Sequence, residues 1–287
     1  MPRSAVPLDS IVVCSRLFIV ALLSLAFGAI PSLAQTQDEP GKTVASKSNP
    51  EDKSAIDEKH PLFIPLQMAY KASEQLKEIE DYECIFTKRE LLGKKLLKST
   101  MKLKFRDEPF SVYLKFIDNN PGREVLFVKG QNSNNLLVRE AGVKGAILGV
   151  VPLAPTGPDA LAENKYPVTS IGIKQLLGTV IKQWEAEGKF SGTSAQKRPN
   201  SKLPTGEVCT VYEAVHEKPY KDFKFHTTRL WIEDKTGLAI GVQQLGFPGK
   251  NDTQPPMVEE YFYSNLKTNL KLTDTDFDKN NPNYAFK

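Results

Sequence analysis

Histidine and cysteine are scarce, at three of each in 287 residues, and that scarcity removes most metal and redox chemistry at the outset. His60 stands alone, and His216 and His226 flank a turn. No H-E-x-x-H motif or paired C-x-x-C gathers them, or Cys209, into a ligand set. A Walker loop, a Rossmann glycine pattern and a G-x-S-x-G elbow are also missing. The carboxylates, Glu259 and Glu260 included, fall in no spacing that assigns an acid and a base. The excess of positive charge is only +4. That falls short of the concentrated Lys/Arg footprint that nucleic-acid binding requires, so neither nucleic acid nor a cofactor is expected.

Two fragments of familiar chemistry do occur. Asp274, Asp276 and Asp278 have calcium-loop spacing, but Lys279 stands where the loop needs Gly and Ala285 where it needs a bidentate Glu. An acidic turn or helix start is the expected reading, and no metal site is assigned. Ser99 with Lys102, Ser194 with Lys197, Ser133 with Asn135, and Lys235-Thr236-Gly237 occur in the order of penicillin-recognising serine enzymes. In those enzymes the serine opens a helix, whereas Ser99 lies inside an alternating strand pattern. A serine-type cell-wall enzyme is therefore kept only as an alternative.

What is present begins with the N-terminus. Arg3 and Arg16 precede an apolar run, Leu17–Ile30, then Pro31 and the small-x-small site Ser32-Leu33-Ala34. This is the form of a cleavable secretory signal over residues 1–34, cut near Ala34. An N-terminal membrane anchor is the alternative, because Ile11–Ile30 has the length to span a bilayer. Residues 35–60 hold almost nothing that could form a core and read as a disordered linker. In the secreted, periplasmic compartment this implies, Cys84 and Cys209 are candidates for a disulfide, with two buried free thiols as the alternative.

From residue 61 to 287 the pattern is that of one folded domain. An amphipathic helix is expected over Leu62 to Ile79, interrupted or started late because of Pro65. Strands follow at about 82–90, 96–106, 110–117, 123–129 and 135–140, separated by turn residues. Residues 141–167 are apolar but broken by Pro and Gly, the form of a functional or mobile loop, with 141–155 as a candidate lid. A second helix runs on to Trp184, with Ser170 as candidate N-cap and Gly188 as stop. Residues 191–206 read as a polar linker. The strand theme then resumes at about 207–216, 223–233, 237–246 and 257–264, with Gly237 at the left-handed position of a hairpin turn. Short turns between strands mean antiparallel pairing. The fold class is α+β, mostly β: one curved antiparallel sheet of about nine to eleven strands wrapped around two or three helices. In the ribbon 96–116 the apolar side should face the helices and the lysine side water.

The segments DYECIFTKRE, RDEPFSVYLKF, NNPGREVLFVKG, KYPVTSIGIKQL, LWIEDKTGLAIGVQQ and EEYFYSNLKTNLKLTDTDFD resemble an uncharacterised secreted bacterial domain family, a domain of unknown function. In outline that family is similar to the LolA/LolB-like lipoprotein-sorting proteins, and the resemblance spans roughly 62–286. It implies an incomplete antiparallel barrel with helices across its open side and an apolar interior that holds acyl chains. It also implies a basic residue near the cavity mouth, for which Arg106 and Arg123 are the candidates. The expected function is a non-enzymatic periplasmic binding or carrier protein for an acyl chain, free or on a lipoprotein, in transient contact with membrane or envelope proteins. The candidate lining is Met101, Leu103, Phe105, Val112, Leu114 and Phe116. A structural or protein-interaction module of the cell envelope with a filled core is the main alternative.

Overall fold

Alternating side chains and short turns lay down two meanders that meet at a central seam. The computed structural model describes residues 56–286. The expected signal, the anchor alternative and most of the expected linker lie outside the described residues. The first meander is β1 (Asp81–Leu92), β2 (Lys95–Arg106), β3 (Ser111–Phe116), β4 (Glu124–Val128), β5 (Leu136–Arg139) and β6 (Val150–Leu153). The second is β7 (Thr193–Lys202), β8 (Val208–His216), β9 (Thr227–Glu233), β10 (Ala239–Leu245) and β11 (Met257–Thr268). They form one open, curved antiparallel sheet of 11 strands in the order β6-β5-β4-β3-β2-β1-β11-β10-β9-β8-β7. The seam is the long β1–β11 pair, with Phe86 opposite Tyr263 and Lys88 opposite Tyr261.

Helices α1 (Phe63–Leu76) and α4 (Ile173–Glu187) cross the concave face and pack on one another. Pro65, Leu66, Ala69, Ala72 and Leu76 form the buried side of α1; Ile173, Leu177, Val180 and Trp184 form that of α4. Burying each of the larger apolar side chains contributes roughly 1.5–3 kcal/mol, which sets these helices as the plug of the sheet. No helix among the described residues is long and apolar enough to cross a membrane. α4 starts at Ile173 with Gly172 as N-cap, not at Ser170. Two tyrosines explain the shift. The hydroxyls of Tyr263 and Tyr82 accept the Gly172 and Ile173 N–H groups, each at 3.2 Å, satisfying donors a serine cap would have served. Gly172 takes φ +133°, and a Cβ there would collide with Gln175 and the Phe105 ring. The helix stops at Gly188, as expected.

Three expectations change. Residues 56–60, placed in the linker, belong to the fold: Ile56 is buried and His60 Nε2 lies 3.0 Å from the Phe190 carbonyl. The segment 141–167 is not one loop; it contains α2 (Gly142–Leu148), strand β6 and α3 (Pro158–Leu161). The polar stretch after Gly192 is strand β7, the sheet's other edge.

Cys84 and Cys209 are not bridged. Cys84 is on β1 and Cys209 on β8, with β11, β10 and β9 between them, whereas a disulfide needs Cα atoms within about 7 Å. Each is a buried free thiol. Burial pushes the Cys209 thiol up to about 12 and that of Cys84 well above its ordinary value, so neither is an active nucleophile. In a chain beginning after residue 34, thiol alkylation should label neither cysteine in the native state and both in denaturant. A native protein with no free thiol after unfolding would contradict this.

The outer face also departs from expectation. β4 is buried along its whole length, and β3 on both faces through its first four residues. The cover is the C-terminal segment. Phe277, Tyr284 and Phe286 pack on Tyr113, Leu126, Val128 and Leu137, and Tyr113 stacks on Tyr284 at 3.9 Å. Lys104 and Arg106, expected in water, pair with Asp276 at 2.8 Å and Asp274 at 2.9 Å. Asp274 and Asp276 of the calcium-like string thus open a 3-10 turn that Asp278 closes, with Thr273 and Asp276 forming a reciprocal cap.

Candidate functional site

The plug is lopsided, and the space it leaves is the candidate site. Between β1–β6 on one side and α4 with the 159–171 segment on the other lies a cavity of about 470 Å³. That is within the range of small-molecule sites. Its wall is built from inward positions of successive strands: Phe86, Met101, Leu114 and Phe116, Val125, Leu136 and Val138, and Leu153. Leu176 and Val180 of α4 close it from the helical side, and Tyr261 and Tyr263 from the seam.

The six expected lining residues are three cross-strand pairs: Met101 with Phe116, Leu103 with Leu114, and Phe105 with Val112. Met101, Leu114 and Phe116 line the cavity; Leu103, Phe105 and Val112 do not. The reason lies in where α4 begins. Phe105 stacks on Tyr82 at 4.8 Å, meets Phe110 edge-on at 5.4 Å and sits against Gly172, so that end of the ribbon is closed by aromatic packing. The ribbon's apolar side passes from filled core at Phe105 to open wall at Phe116.

Polar groups gather on the inward side of the seam. Lys88 and Glu90 pair at 2.7 Å, both buried. The 159–171 segment is tied down on them. Lys88 Nζ donates to Asn164 Oδ1 at 2.6 Å, and Glu90 accepts from the Lys165 N–H at 3.0 Å and the Tyr261 hydroxyl at 2.8 Å. Glu259 accepts from the Tyr166 hydroxyl at 3.0 Å and pairs with Lys165. Burial, with Glu90 and Glu259 alongside, drives the Tyr261 hydroxyl far above its ordinary range; it is a fixed hydrogen-bond donor. A wholly apolar strand face would have left this segment without an anchor. The expected lid 141–155 is displaced by this later segment: Val143, Ile147 and Leu148 of α2 are exposed, and only Leu153 of that stretch lines the cavity.

Of the two candidate basic residues, Arg123 lines the cavity and Arg106 does not. Arg106 is on the outer face over the Phe277 ring at 4.9 Å. Arg123 lies 5.4 Å over the Phe116 ring and pairs with Glu140 and Glu163, both at 2.7 Å. Burial alone would lower its pKa, but the two glutamates outweigh that and hold it above its ordinary value.

The serine-enzyme fragments are not brought together among the described residues. Ser99 and Lys102 are three apart on β2 and so face opposite sides of the sheet, while Lys235 and Gly237 are in the β9–β10 hairpin. Gly237 takes the expected left-handed φ of 70°. His216 is buried against Glu187 at 3.1 Å, and no group of three or more metal-ligating side chains occurs among the described residues. Sequence reasoning missed Phe86, Tyr261, Tyr263 and the strap at 159–171. A signal for the first was present: Tyr82, Cys84, Phe86, Lys88 and Glu90 share one face of β1, a run whose charged end needed an inward partner.

An open antiparallel half-barrel, plugged on one side by two helices and hollow on the other, is the class of protein this geometry defines. The chain belongs to the DUF1571 family, a family of unknown function, which it matches over residues 79–286. Solved structures with partial similarity include LprF from Mycobacterium bovis, 14% identical with a TM-score of 0.42, covering 75% of this chain and 98% of that one. The Mycobacterium tuberculosis lipoprotein LppX is 13% identical with a TM-score of 0.40, covering 71% and 92%. A LolA superfamily protein from Nitrosomonas europaea is 11% identical with a TM-score of 0.30, covering 74% and 96%. Comparison with curated proteins gave no match. The cavity, not these partial overlaps, carries the functional reading.

Proposed function

We propose that this protein is a non-enzymatic binding or carrier protein of the bacterial envelope, periplasmic after cleavage near Ala34, that holds an acyl chain in its half-barrel. The observation that supports this is the cavity of about 470 Å³, walled mainly by apolar side chains and left unfilled by the chain's own helices. Each methylene moved from water into such a wall contributes about 0.8 kcal/mol. A chain of about ten methylenes therefore offsets much of the cost of immobilising it. Met101, Leu114 and Phe116 are the ligand contacts kept from the opening ribbon, joined by Phe86, Val125 and Leu176. Reactive groups that an enzyme would need are paired off: Lys88, Glu90, Lys165 and Glu259 are spent on holding the strap.

Titration of the mature protein with the apolar fluorophore N-phenylnaphthylamine tests this. One dye per chain, displaced by a long-chain monoacylglycerol, is the expected result. A chain that takes up no dye has a filled core, and a structural module of the envelope then becomes the better reading.

A further inference from the structure

Resting on the carrier reading, the charges around the cavity define the polar end of its occupant. Five carboxylates line it, those of Glu90, Glu140, Asp159, Glu163 and Glu259, against the two cations Lys88 and Arg123. Both cations are already engaged. Lys88 is held by Glu90 and Asn164, and Arg123 is gripped between Glu140 and Glu163. Lys165, just behind the wall, is paired with Glu259. An anionic headgroup entering this cavity meets cations whose terminal nitrogens are already held by carboxylates, and Arg123 Nε, which has no partner, is itself buried. It enters a lining in which five carboxylates face two cations, and displacing Glu90 from Lys88 or Glu140 from Arg123 would leave a carboxylate unpaired in a buried or partly buried place. Meanwhile acceptors stand open. Asp159 and Glu163 are exposed acceptors on the lining. A donor on the ligand can bond to these carboxylates, whereas an anion is repelled by them.

We infer that the cavity selects an amphiphile whose polar end donates hydrogen bonds and carries no negative charge: an amide N–H, a hydroxyl or an ammonium, not a carboxylate or phosphate. An amide-linked acyl chain, or an ester that keeps a free hydroxyl, satisfies this, whereas a free fatty acid does not. The rim then acts as a filter, and the apolar wall supplies affinity without regard to headgroup.

The test uses three probes with the same chain, hexadecanamide, hexadecylammonium and hexadecanoate, each displacing N-phenylnaphthylamine at pH 7.5 and low salt below its aggregation limit. The amide and the ammonium should displace the dye at concentrations at least about tenfold lower than the carboxylate. Glu140→Gln combined with Glu163→Gln frees Arg123, and this double variant should lose most of the discrimination against hexadecanoate. Hexadecanoate displacing dye from the wild-type protein as well as the amide does would overturn the inference while leaving the carrier reading intact. Discrimination that persists unchanged in the double variant would overturn the role given to the Arg123 pairs. Absence of dye uptake would remove the carrier reading, and this inference with it.

Discussion

Phe116→Asp should fold and lose its ligand, and Phe105→Asp should not fold. The two phenylalanines are on neighbouring strands of one ribbon and face the same side of the sheet, yet their surroundings differ. Phe116 is half-buried at the cavity wall with Arg123 over its ring. A carboxylate there has water within reach, so the fold tolerates it. The wall, however, loses an aromatic surface and gains a charge, which should weaken acyl-chain binding by at least about tenfold. Phe105 is only 2% exposed, locked between Tyr82, Phe110 and Gly172. An aspartate there is a buried, unpaired charge over a cavity, a loss on the order of 4–5 kcal/mol or more. Circular dichroism and dye titration on both variants separate the two outcomes. A folded Phe116→Asp that binds like the wild type would remove Phe116 from the site.

Removing the C-terminal segment is the second large effect. Ending the chain at Asn269 strips the outer face of Phe277, Tyr284 and Phe286 and uncovers Tyr113, Leu126, Val128 and Leu137. It also leaves Glu124, which is 1% exposed, without the Ala285 N–H it accepts at 2.7 Å. Asp81, 4% exposed, loses the N–H groups of Leu270 and Leu272 at 2.6 and 3.0 Å. At roughly 1.5–3 kcal/mol for each large apolar group returned to water, the loss approaches the whole stability of a domain. The truncated chain should aggregate or unfold well below the intact protein's midpoint. Tyr284→Ala, the milder form, should cost about 2–4 kcal/mol in urea unfolding. A truncated chain with an unchanged midpoint would show that the segment is not part of the folded unit.

The alternation of β1 to β5 and of β8 to β11 was legible because each of those strands turns one side inward, and a period of two is visible without any tertiary knowledge. The two edges were not legible. β6 contains Pro152 and β7 contains Pro199, and proline reads as a strand breaker. At an edge it is tolerated, because one side of the strand has no neighbour to bond. β7 also bulges between Arg198 and Ser201, with Asn200 at φ +56°, so its pairing with β8 could not be counted out from residue spacing. Nor does β7 carry an apolar face; its place is set by its ladder to β8, with Arg198 paired to Glu213 and Thr193 Oγ1 2.9 Å from His216 Nδ1. The segment 270–286 was hidden for a different reason. Its aromatics are few and irregularly spaced, and they matter only because β3 and β4 present Tyr113, Leu126 and Val128 outward to meet them.

The candidate site divides in the same way. The sequence shows that Met101, Leu103, Phe105, Val112, Leu114 and Phe116 share a face. Which end of that face is core and which is cavity depends on where α4 starts, and that is decided by the hydroxyls of Tyr82 and Tyr263, distant in sequence from it. The basic residue at the cavity shows the same limit. Arg106 and Arg123 both follow or precede apolar strand runs, but only Arg123 has its partners, Glu140 and Glu163, on the hollow side.

Mass spectrometry of the mature protein, purified without detergent, tests most directly whether the hollow is a ligand site. Spectra would be taken under native conditions and again after solvent extraction. The expected result is a stoichiometric adduct of lipid mass that extraction removes, with the extracted species carrying at least one long acyl chain. A native mass equal to that of the chain alone, together with no uptake of dye or acyl probe, would contradict the claim and make the apolar face of β2 and β3 a core that serves only the fold.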